Sequence, residues 1–213
     1  MLKMVCFDLD GVLVDACEWH RLALNEALQE TCDYEITLDD HKKIYNGLPT
    51  KKKLSMLSKK NIIPKEHHEK VFTLKQSKTV DIINKLAHND QTKIDLLKRL
   101  SDDGIVVCCV TNSISLTANL MLEKAGIKNL FDLIITNEDV KNPKPDPEGY
   151  NKALSHFNFA PKDVIVVEDS DKGVAAAKAS GCAVFRVENA KQVNIENLRS
   201  FINESFNTNG GRR

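Results

Sequence analysis

Five short apolar runs, rich in β-branched residues and separated by helical patterns, constrain the fold of this chain more than any other feature. The runs cover residues 4–7, 105–110, 133–135, 164–167 and 183–187. Runs this short and this apolar predict strands that are buried on both faces, as in a parallel sheet covered by helices. Helical patterns follow most of them, and two of these patterns stop near Gly126 and Gly181. The chain is therefore predicted to have an α/β fold, with a parallel sheet sandwiched between helices.

One long segment interrupts this alternation. Residues 16–87 show only helical periodicity, with a break between helices at residues 47–50. A segment of this length is too long for a simple crossover between strands, so we expect a separate helical subdomain. The core domain is then formed by residues 1–15 and 88–206, and the polar tail at 207–213 is expected to be disordered.

The charge balance gives no sign of a polyanionic partner. Lys plus Arg and Asp plus Glu number 30 each, so the formal net charge is zero. A balance of this kind argues against nucleic acid and against an anionic membrane surface as partners. Any anion-binding site must therefore be formed by a local group of residues and not by the overall charge of the protein. The run from Lys51 to Lys53 is interpreted as a solvated helix face.

The cysteines and the hydropathy profile indicate the compartment. The chain has 213 residues and six cysteines, at positions 6, 17, 32, 108, 109 and 182, with no CxxC pair. We expect buried free thiols in a reducing cytosol. Two aspartates interrupt the start of the chain before a signal-peptide core could form, and no run approaches the roughly 20 apolar residues of a membrane span. A cytoplasmic location is predicted.

Polar side chains follow the predicted strands at the point where each strand ends. In open α/β sheets, ligands bind outside the carboxyl ends of the strands. The candidates at these ends are Asp8, Asp10, Thr111, Asn112, Ser113, Lys144, Glu168 and Asp169. Each has a plain structural alternative, because acids after strands serve as turn residues or helix N-caps and a lysine between prolines can be a surface residue.

The convergence of four carboxylates favours a functional site over these alternatives. Two carboxylates about 4 Å apart repel by about 4 kcal/mol at an effective dielectric of about 20. Lys144 alone cannot neutralise four acids. A hard divalent cation can, and an all-oxygen ligand set indicates Mg²⁺.

Four motifs in this order resemble those of the haloacid dehalogenase superfamily. The segment Asp8-Leu9-Asp10-Gly11-Val12-Leu13-Val14-Asp15 resembles the first motif, DxDG(V/T)xxD. Thr111 matches the second motif, Lys144 in KPDP matches the third, and the segment EDSDKG beginning at Glu168 resembles the fourth. The resemblance spans nearly the whole chain and implies a Rossmann-like core with a small helical cap inserted after the first strand.

The resemblance implies a role for each motif residue. Asp8 would be the nucleophile that forms an aspartyl-phosphate, and Asp10 the general acid and then the general base. Thr111 and Lys144 would stabilise charge on the phosphoryl group. Mg²⁺ would be held by the Asp8 carboxylate, the Asp10 backbone carbonyl, Asp169 and, directly or through water, Glu168. An aspartate at position 10 also favours a phosphate-oxygen leaving group over halide or phosphonate.

The helical insert resembles the branch that contains β-phosphoglucomutases and phosphoglycolate phosphatases. By this resemblance His20, Lys75 and Asn112 are the candidate substrate-side residues. His20 taken alone could equally be a surface or hinge histidine. Ala16 and Thr50 depart from the mutase pattern, since mutases place a hydroxyl residue at the first position and a phosphate-binding arginine near the second.

Three functions are consistent with these residues. The preferred one is a phosphatase that acts on a small phosphorylated metabolite, such as a sugar phosphate. The alternative is a sugar-phosphate mutase that shields its aspartyl-phosphate from water. A non-catalytic binding module is a third hypothesis from another class, and the intact motif residues argue against it. With no interface signal, a monomer is expected.

Overall fold

The five apolar runs form one parallel sheet in the computed structural model, which describes residues 1–206. The strands are β1 (Met4–Phe7), β2 (Val106–Val110), β3 (Leu133–Ile135), β4 (Val164–Glu168) and β5 (Ala183–Arg186). Their order across the sheet is β3-β2-β1-β4-β5, and every neighbouring pair is parallel. The predicted α/β fold with a parallel sheet is confirmed, and three strands differ from the prediction by one residue at one end.

Nine α-helices occur within residues 1–206. They are α1 (Cys17–Cys32), α2 (Leu38–Asp40), α3 (Thr50–Lys59), α4 (His68–Leu86), α5 (Gln91–Asp102), α6 (Ser115–Lys124), α7 (Glu148–Phe157), α8 (Asp171–Ala179) and α9 (Ile195–Phe206). A π-helical turn, His41–Tyr45, follows α2 directly. As the sequence predicted, α6 and α8 stop just before Gly126 and Gly181, which both have positive φ.

The sheet is buried on both faces, as the near-continuous apolar strands require. Along β1 the side chains alternate, with Val5 and Phe7 on one face and Met4 and Cys6 on the other. Helices α5, α6 and α9 pack on the Val5 face, and α7 and α8 pack on the Met4 face. The central strand β1 lies between β2 and β4, so the loops after these three strands meet at one edge.

The helical insert, residues 16–87, has an apolar cluster of its own. Leu24 and Leu28 of α1 pack there against Leu54 and Leu57 of α3 and against Val71 of α4. The insert contains no strand, in agreement with the periodicity of the sequence. Whether it is a separate domain bounded at residues 16 and 87 stays a prediction.

The interpretation of the lysine run as a solvated face is wrong for one of its members. Lys51 and Lys52 are exposed, but Lys53 is only 6% exposed. Lys53 lies beside Leu54 and one helical turn before Leu57, and both leucines are buried. The buried face of α3 therefore carries a cation.

All six cysteines are free thiols. The expectation of buried thiols holds for Cys6, Cys108, Cys109 and Cys182, whereas Cys17 and Cys32 are only half-buried. Across residues 1–206 no helix is both long enough and apolar enough to cross a bilayer. The tail at 207–213 lies outside the described residues.

Candidate active site

A pocket of about 290 Å³ lies where the carboxyl edge of the sheet faces the helical insert. Its sheet side includes Asp8, which follows β1, and Thr111, which follows β2. Its insert side includes Lys53 of α3 and Lys75 of α4. The strand topology therefore brings the predicted residues of separate loops into one cavity.

Lys144 connects two of the predicted acids on the sheet side. Its ammonium donates hydrogen bonds to Asp8 Oδ1 at 2.7 Å, to Glu168 Oε1 at 2.6 Å and to the Val110 carbonyl at 2.7 Å. Burial disfavours the charged ammonium, but Asp8 and Glu168 outweigh it and raise the pKa of Lys144. Burial also raises the pKa of Asp8 well above its usual value, with Lys144 acting in the opposite direction. The site thus holds more negative charge than Lys144 compensates.

Glu168 lies beneath the pocket floor and is completely buried. Besides Lys144, it accepts a hydrogen bond from the Tyr150 hydroxyl at 2.6 Å. The Lys144 ammonium is 5.0 Å from the centre of the Tyr150 ring. Gly173 of α8 packs so closely that a Cβ there would lie 2.0 Å from the carboxylate of Glu168. These contacts leave Glu168 little freedom to move.

Asp10 has a different set of partners from Asp8. Its Oδ1 is 2.8 Å from His20 Nε2, and its Oδ2 accepts a hydrogen bond from the Ser113 hydroxyl at 2.7 Å. Lys75 Nζ lies 3.0 Å from His20 Nδ1. An ammonium can only donate, so Nδ1 accepts the bond from Lys75 and Nε2 carries the proton that faces Asp10. Lys75, His20 and Asp10 therefore form one chain of donors and acceptors.

The electrostatics of this chain are set by burial and by its own members. Burial alone would raise the pKa of Asp10, but the charge and hydrogen bond of His20, together with Ser113, lower it to about 2. Burial and Lys75 lower the pKa of His20. Burial and Lys53 lower the pKa of Lys75 to about 7. Asp10 is an acceptor in this arrangement, and both His20 and Ser113 donate a hydrogen bond to it.

Three carboxylates at the sheet edge could hold a metal ion together. Ligand oxygens of Asp8, Glu168 and Asp169 all lie within 4.8 Å of one another. Burial, followed by the charge of Glu168, raises the pKa of Asp169 to about 6. Gly11 has φ +88°, and a Cβ at this position would lie 2.4 Å from Asp169 Oδ2. Glycine is required here both for the turn after Asp10 and for the space that Asp169 occupies.

Asn112, predicted to contact substrate, makes its hydrogen bonds to backbone groups. Its side-chain amide donates to the carbonyls of Gly47 at 3.0 Å and Lys144 at 3.2 Å, and its oxygen accepts from the Lys144 amide at 3.0 Å. It therefore positions the Lys144 loop against the helical insert. Lys172 adds a second link of this kind by donating to the Asn46 carbonyl. The hydroxyl of Thr111, which is buried beside the pocket, accepts from the Ser113 amide at 3.0 Å.

Two residues of the site, Tyr150 and Lys53, were not among the predicted ones, and the contact that a third residue, Ser113, makes was not predicted. Ser113 was grouped with the strand-end hydroxyls, but nothing in the sequence pairs it with Asp10. Tyr150 lies on the apolar face of α7 beside Ala153 and Leu154, where an aromatic residue indicates only packing. The position of Lys53 next to Leu54 was a usable signal, because it places the lysine close to the apolar stripe of α3.

Comparisons with known proteins show which family the chain resembles over most of its length. The family described as haloacid dehalogenase-like hydrolase matches residues 5–187. The pyrophosphatase PpaX of Bacillus velezensis is 28% identical over 185 residues, which cover 83% of this chain and 79% of that protein. A phosphorylated carbohydrates phosphatase of Thermotoga maritima is 29% identical over 188 residues, covering 84% and 82%. The crystal structure of a β-phosphoglucomutase from Clostridium difficile superposes with a TM-score of 0.83 at 22% identity over the full length of both chains, a likeness that shows the fold alone.

Proposed function

The chain belongs to the haloacid dehalogenase-like hydrolase family, and we propose that it is a phosphatase that hydrolyses a small phosphorylated metabolite through an aspartyl-phosphate on Asp8. One observation carries this proposal. Asp8 and Asp10 face the same pocket but have opposite environments, since Lys144 holds Asp8 and a proton-donating chain ends on Asp10. Two carboxylates with such different surroundings suit two different roles. The names of the curated relatives, a pyrophosphatase and a carbohydrate phosphatase, support the same reaction.

Asp8 is proposed to act as the nucleophile. Lys144 holds one of its oxygens at 2.7 Å and thereby fixes the carboxylate at the pocket floor. An Asp8 oxygen attacks phosphorus as the bond to the leaving oxygen breaks, which gives an aspartyl-phosphate and an alcohol. Attack by water then forms inorganic phosphate and releases the Asp8 carboxylate. Lys144 and Thr111 lie where they can stabilise charge on the phosphoryl oxygens.

Asp10 is proposed to transfer the protons in both steps. Asp10 is ionised in the resting site. His20 Nε2 lies 2.8 Å from Asp10 Oδ1 and donates its proton to that oxygen. A phosphoryl group bound beside Asp10 adds negative charge, which raises its affinity for that proton. Asp10 then protonates the leaving oxygen, and as a carboxylate it accepts a proton from the attacking water. As the Nε2 proton passes to Asp10, the Lys75 ammonium donates a proton to Nδ1, so His20 stays a neutral imidazole and Lys75 becomes a neutral amine.

The acidic cluster fits a magnesium ion. The cluster offers only oxygen ligands, and its three carboxylates carry more negative charge than Lys144 can neutralise. Asp8, Asp169 and the Asp10 carbonyl would hold the ion, with Glu168 bound directly or through water. When bound, Mg²⁺ supplies Lewis-acid stabilisation of the phosphoryl oxygens. The residues of the chain then need only to orient the substrate and move protons.

The proposal is tested by measuring phosphate release with Mg²⁺ from a panel of phosphorylated metabolites. Asp8→Asn should lower phosphate release by more than about a thousandfold and abolish the phosphoenzyme seen in the intact mass of acid-quenched protein. Asp171→Asn, an exposed substitution in the fourth motif, is the matched control and should retain activity. Phosphate release that survives in Asp8→Asn would contradict the nucleophile assignment.

The same panel separates a phosphatase from a mutase. A phosphatase should release phosphate without exchanging sugar-phosphate isomers. Isomer exchange that requires a bisphosphate and releases little phosphate would contradict the phosphatase proposal. Thr50, in the region where mutases have a phosphate-binding arginine, favours the phosphatase, because threonine cannot form a bidentate pair with phosphate.

A further inference from the structure

Lys53 is a buried cation for which the proposed reaction has no use. It is 6% exposed and lines the pocket from the side of the helical insert. Within residues 1–206, no hydrogen bond or ion pair involves its ammonium group. Burial lowers its pKa to about 8, with the charge of Asp10 acting in the opposite direction. An ammonium removed from water without a partner is costly, so the site is incomplete without an anion.

Asp8 and Asp10, two acids that line the pocket, already have other hydrogen-bond partners. Lys144 bridges Asp8 and Glu168, and Asp10 bonds to His20 and Ser113. Within the described part of the chain, the Lys75 ammonium has one hydrogen-bond partner, the acceptor nitrogen of His20, and burial followed by the charge of Lys53 lowers the pKa of Lys75. The insert side of the pocket thus carries surplus positive charge, whereas the sheet side carries surplus negative charge.

The same wall contains further unused polar groups. His41 Nδ1 and Gln76 Oε1 are buried and have no hydrogen-bond partner among residues 1–206, and both residues line this pocket. Buried polar atoms in native proteins are nearly always satisfied, so such a group calls for a ligand, a water or an ion. Lys53, His41 and Gln76 come from three separate parts of the insert and meet at this one cavity.

We propose that Lys53 forms a second anion-binding subsite, which holds a second acidic group of the substrate on the insert side of the pocket. This inference rests on the proposed phosphatase function and narrows its substrate to phosphate esters that carry another carboxylate or phosphate. Both groups are oxygen anions that accept a charge-assisted hydrogen bond from an ammonium. The residues on the sheet side hold the phosphoryl group that reacts. Lys53 selects the substrate by binding its second acidic group.

The test compares matched pairs of substrates on one enzyme preparation. The carboxylate pair is phosphoglycolate and hydroxyethyl phosphate, and the phosphate pair is a hexose bisphosphate and the corresponding hexose monophosphate. The quantity measured is the preference ratio, kcat/KM for the substrate with the second anion divided by kcat/KM for its partner. The ratio is independent of how much of a preparation is folded, because both values come from the same protein.

Lys53→Met should lower the preference ratio about 10- to 100-fold in one of the two pairs, as expected for the loss of a hydrogen bond to a charged group. The pair affected identifies the second anion as a carboxylate or a phosphate. Lys53→Arg should keep most of the preference, because it keeps the charge. Lys52→Met, an exposed neighbour on the same helix, should leave the ratio unchanged.

Two results would overturn the subsite. One is a wild-type protein that hydrolyses both members of each pair with equal kcat/KM. The other is a Lys53→Met variant with the wild-type preference ratio in both pairs. Either result leaves the phosphatase activity in place, whereas a failure of the wild-type protein to release phosphate from any substrate contradicts the proposed function itself.

Discussion

At the scale of single residues, identical side chains acquire different chemistry from their neighbours. Asp8 and Asp10 are two positions apart, yet burial raises the pKa of one and the partners of the other lower it to about 2. Lys144 and Lys53 are both buried, but only Lys144 has carboxylate partners. Residue type alone predicts neither difference, because each depends on groups far away in the sequence.

Tyr150→Phe tests whether the buried contact to Glu168 supports catalysis. The substitution removes the hydroxyl that donates to Glu168 Oε1 at 2.6 Å and preserves the ring beside Lys144. Because Glu168 loses a hydrogen-bond donor while it stays buried, the free energy of unfolding should fall by about 1–3 kcal/mol. We also expect kcat to fall about tenfold, since Glu168 and Lys144 together position Asp8. Urea unfolding and phosphate-release kinetics measure the two effects, and wild-type values for both would contradict this role.

The pH dependence of stability should reveal that His41 is buried in its neutral form. Burial, followed by the charge of Lys53, lowers its pKa to about 4, whereas the unfolded chain has an ordinary histidine. Between these two pKa values the unfolded state binds a proton that the folded state does not, so stability falls as pH falls from about 6.5 towards 4. Between about pH 7 and about pH 5, the free energy of unfolding of the wild-type protein should fall by up to about 2 kcal/mol more than that of the His41→Gln variant.

Urea unfolding at both pH values measures this difference. Other groups that titrate in this range are shared by the two proteins, so their contributions cancel in the comparison. An equal loss of stability in the two proteins would show that His41 is not held neutral in the fold.

At the scale of elements, the site depends on which strands are neighbours. β1 lies between β2 and β4, so the loops that carry Asp8, Thr111 and Asp169 converge. Helix α8 then starts at Asp171, with the Ser170 hydroxyl accepting from the Gly173 amide at 3.1 Å as an N-cap. The first turn of α8 therefore lies directly against the buried carboxylate of Glu168.

Gly173→Ala tests how tightly this turn packs. Alanine favours a helix, but its Cβ would lie 2.0 Å from the Glu168 carboxylate, so α8 or Glu168 must move. We expect a net destabilisation of about 1–3 kcal/mol, measured by urea unfolding, and a marked loss of kcat. Ala175→Ser, exposed on the same helix, is the control and should change stability by less than about 0.5 kcal/mol. A Gly173→Ala protein with wild-type stability and activity would refute the close packing.

At the scale of the whole molecule, the helical insert has an apolar cluster of its own, while Ala16 and Ile83 of the insert belong to the cluster on one face of the sheet. The insert supplies Lys53, Lys75 and His20, and the sheet supplies Asp8 and Lys144. Contacts from Asn112 and Lys172 to the backbone of Gly47 and Asn46 link the two across the pocket. We therefore propose that the insert determines the substrate and the sheet determines the reaction.

Hydrogen exchange can show whether the insert is an independent domain. Leu57 lies in the insert cluster and Leu97 in a sheet cluster, and both are fully buried. Replacing either leucine by alanine should lower the free energy of unfolding of the region around it by about 2–5 kcal/mol. If the insert unfolds as a unit, Leu57→Ala should speed amide exchange in α1, α3 and α4 but not in β1 and β2. Equal acceleration in the helices and the strands would contradict the predicted boundaries at residues 16 and 87.

Much of the fold could be predicted because its signals are local. Each strand is a short apolar run, and Gly126 and Gly181 mark helix ends through their own backbone conformation. The strand-end acids could be identified as well, since a parallel sheet gathers the carboxyl ends of its strands at one edge. Errors arose where burial depends on tertiary packing. Lys53 is a basic residue but is buried, and Tyr150 has the pattern of a packing residue but donates a hydrogen bond to Glu168.

The sequence by itself determined the parallel α/β architecture, the family, and the set of acids and the lysine at the strand ends. Periodicity is enough for the architecture, and the resemblance of the four motifs is enough for the family. Only the tertiary structure decided which acid pairs with Lys144, that His20 and Lys75 form a chain to Asp10, and that Lys53 faces the pocket with no partner among residues 1–206. The physical reason is that protonation and hydrogen bonding depend on distances and burial between residues that are far apart in sequence.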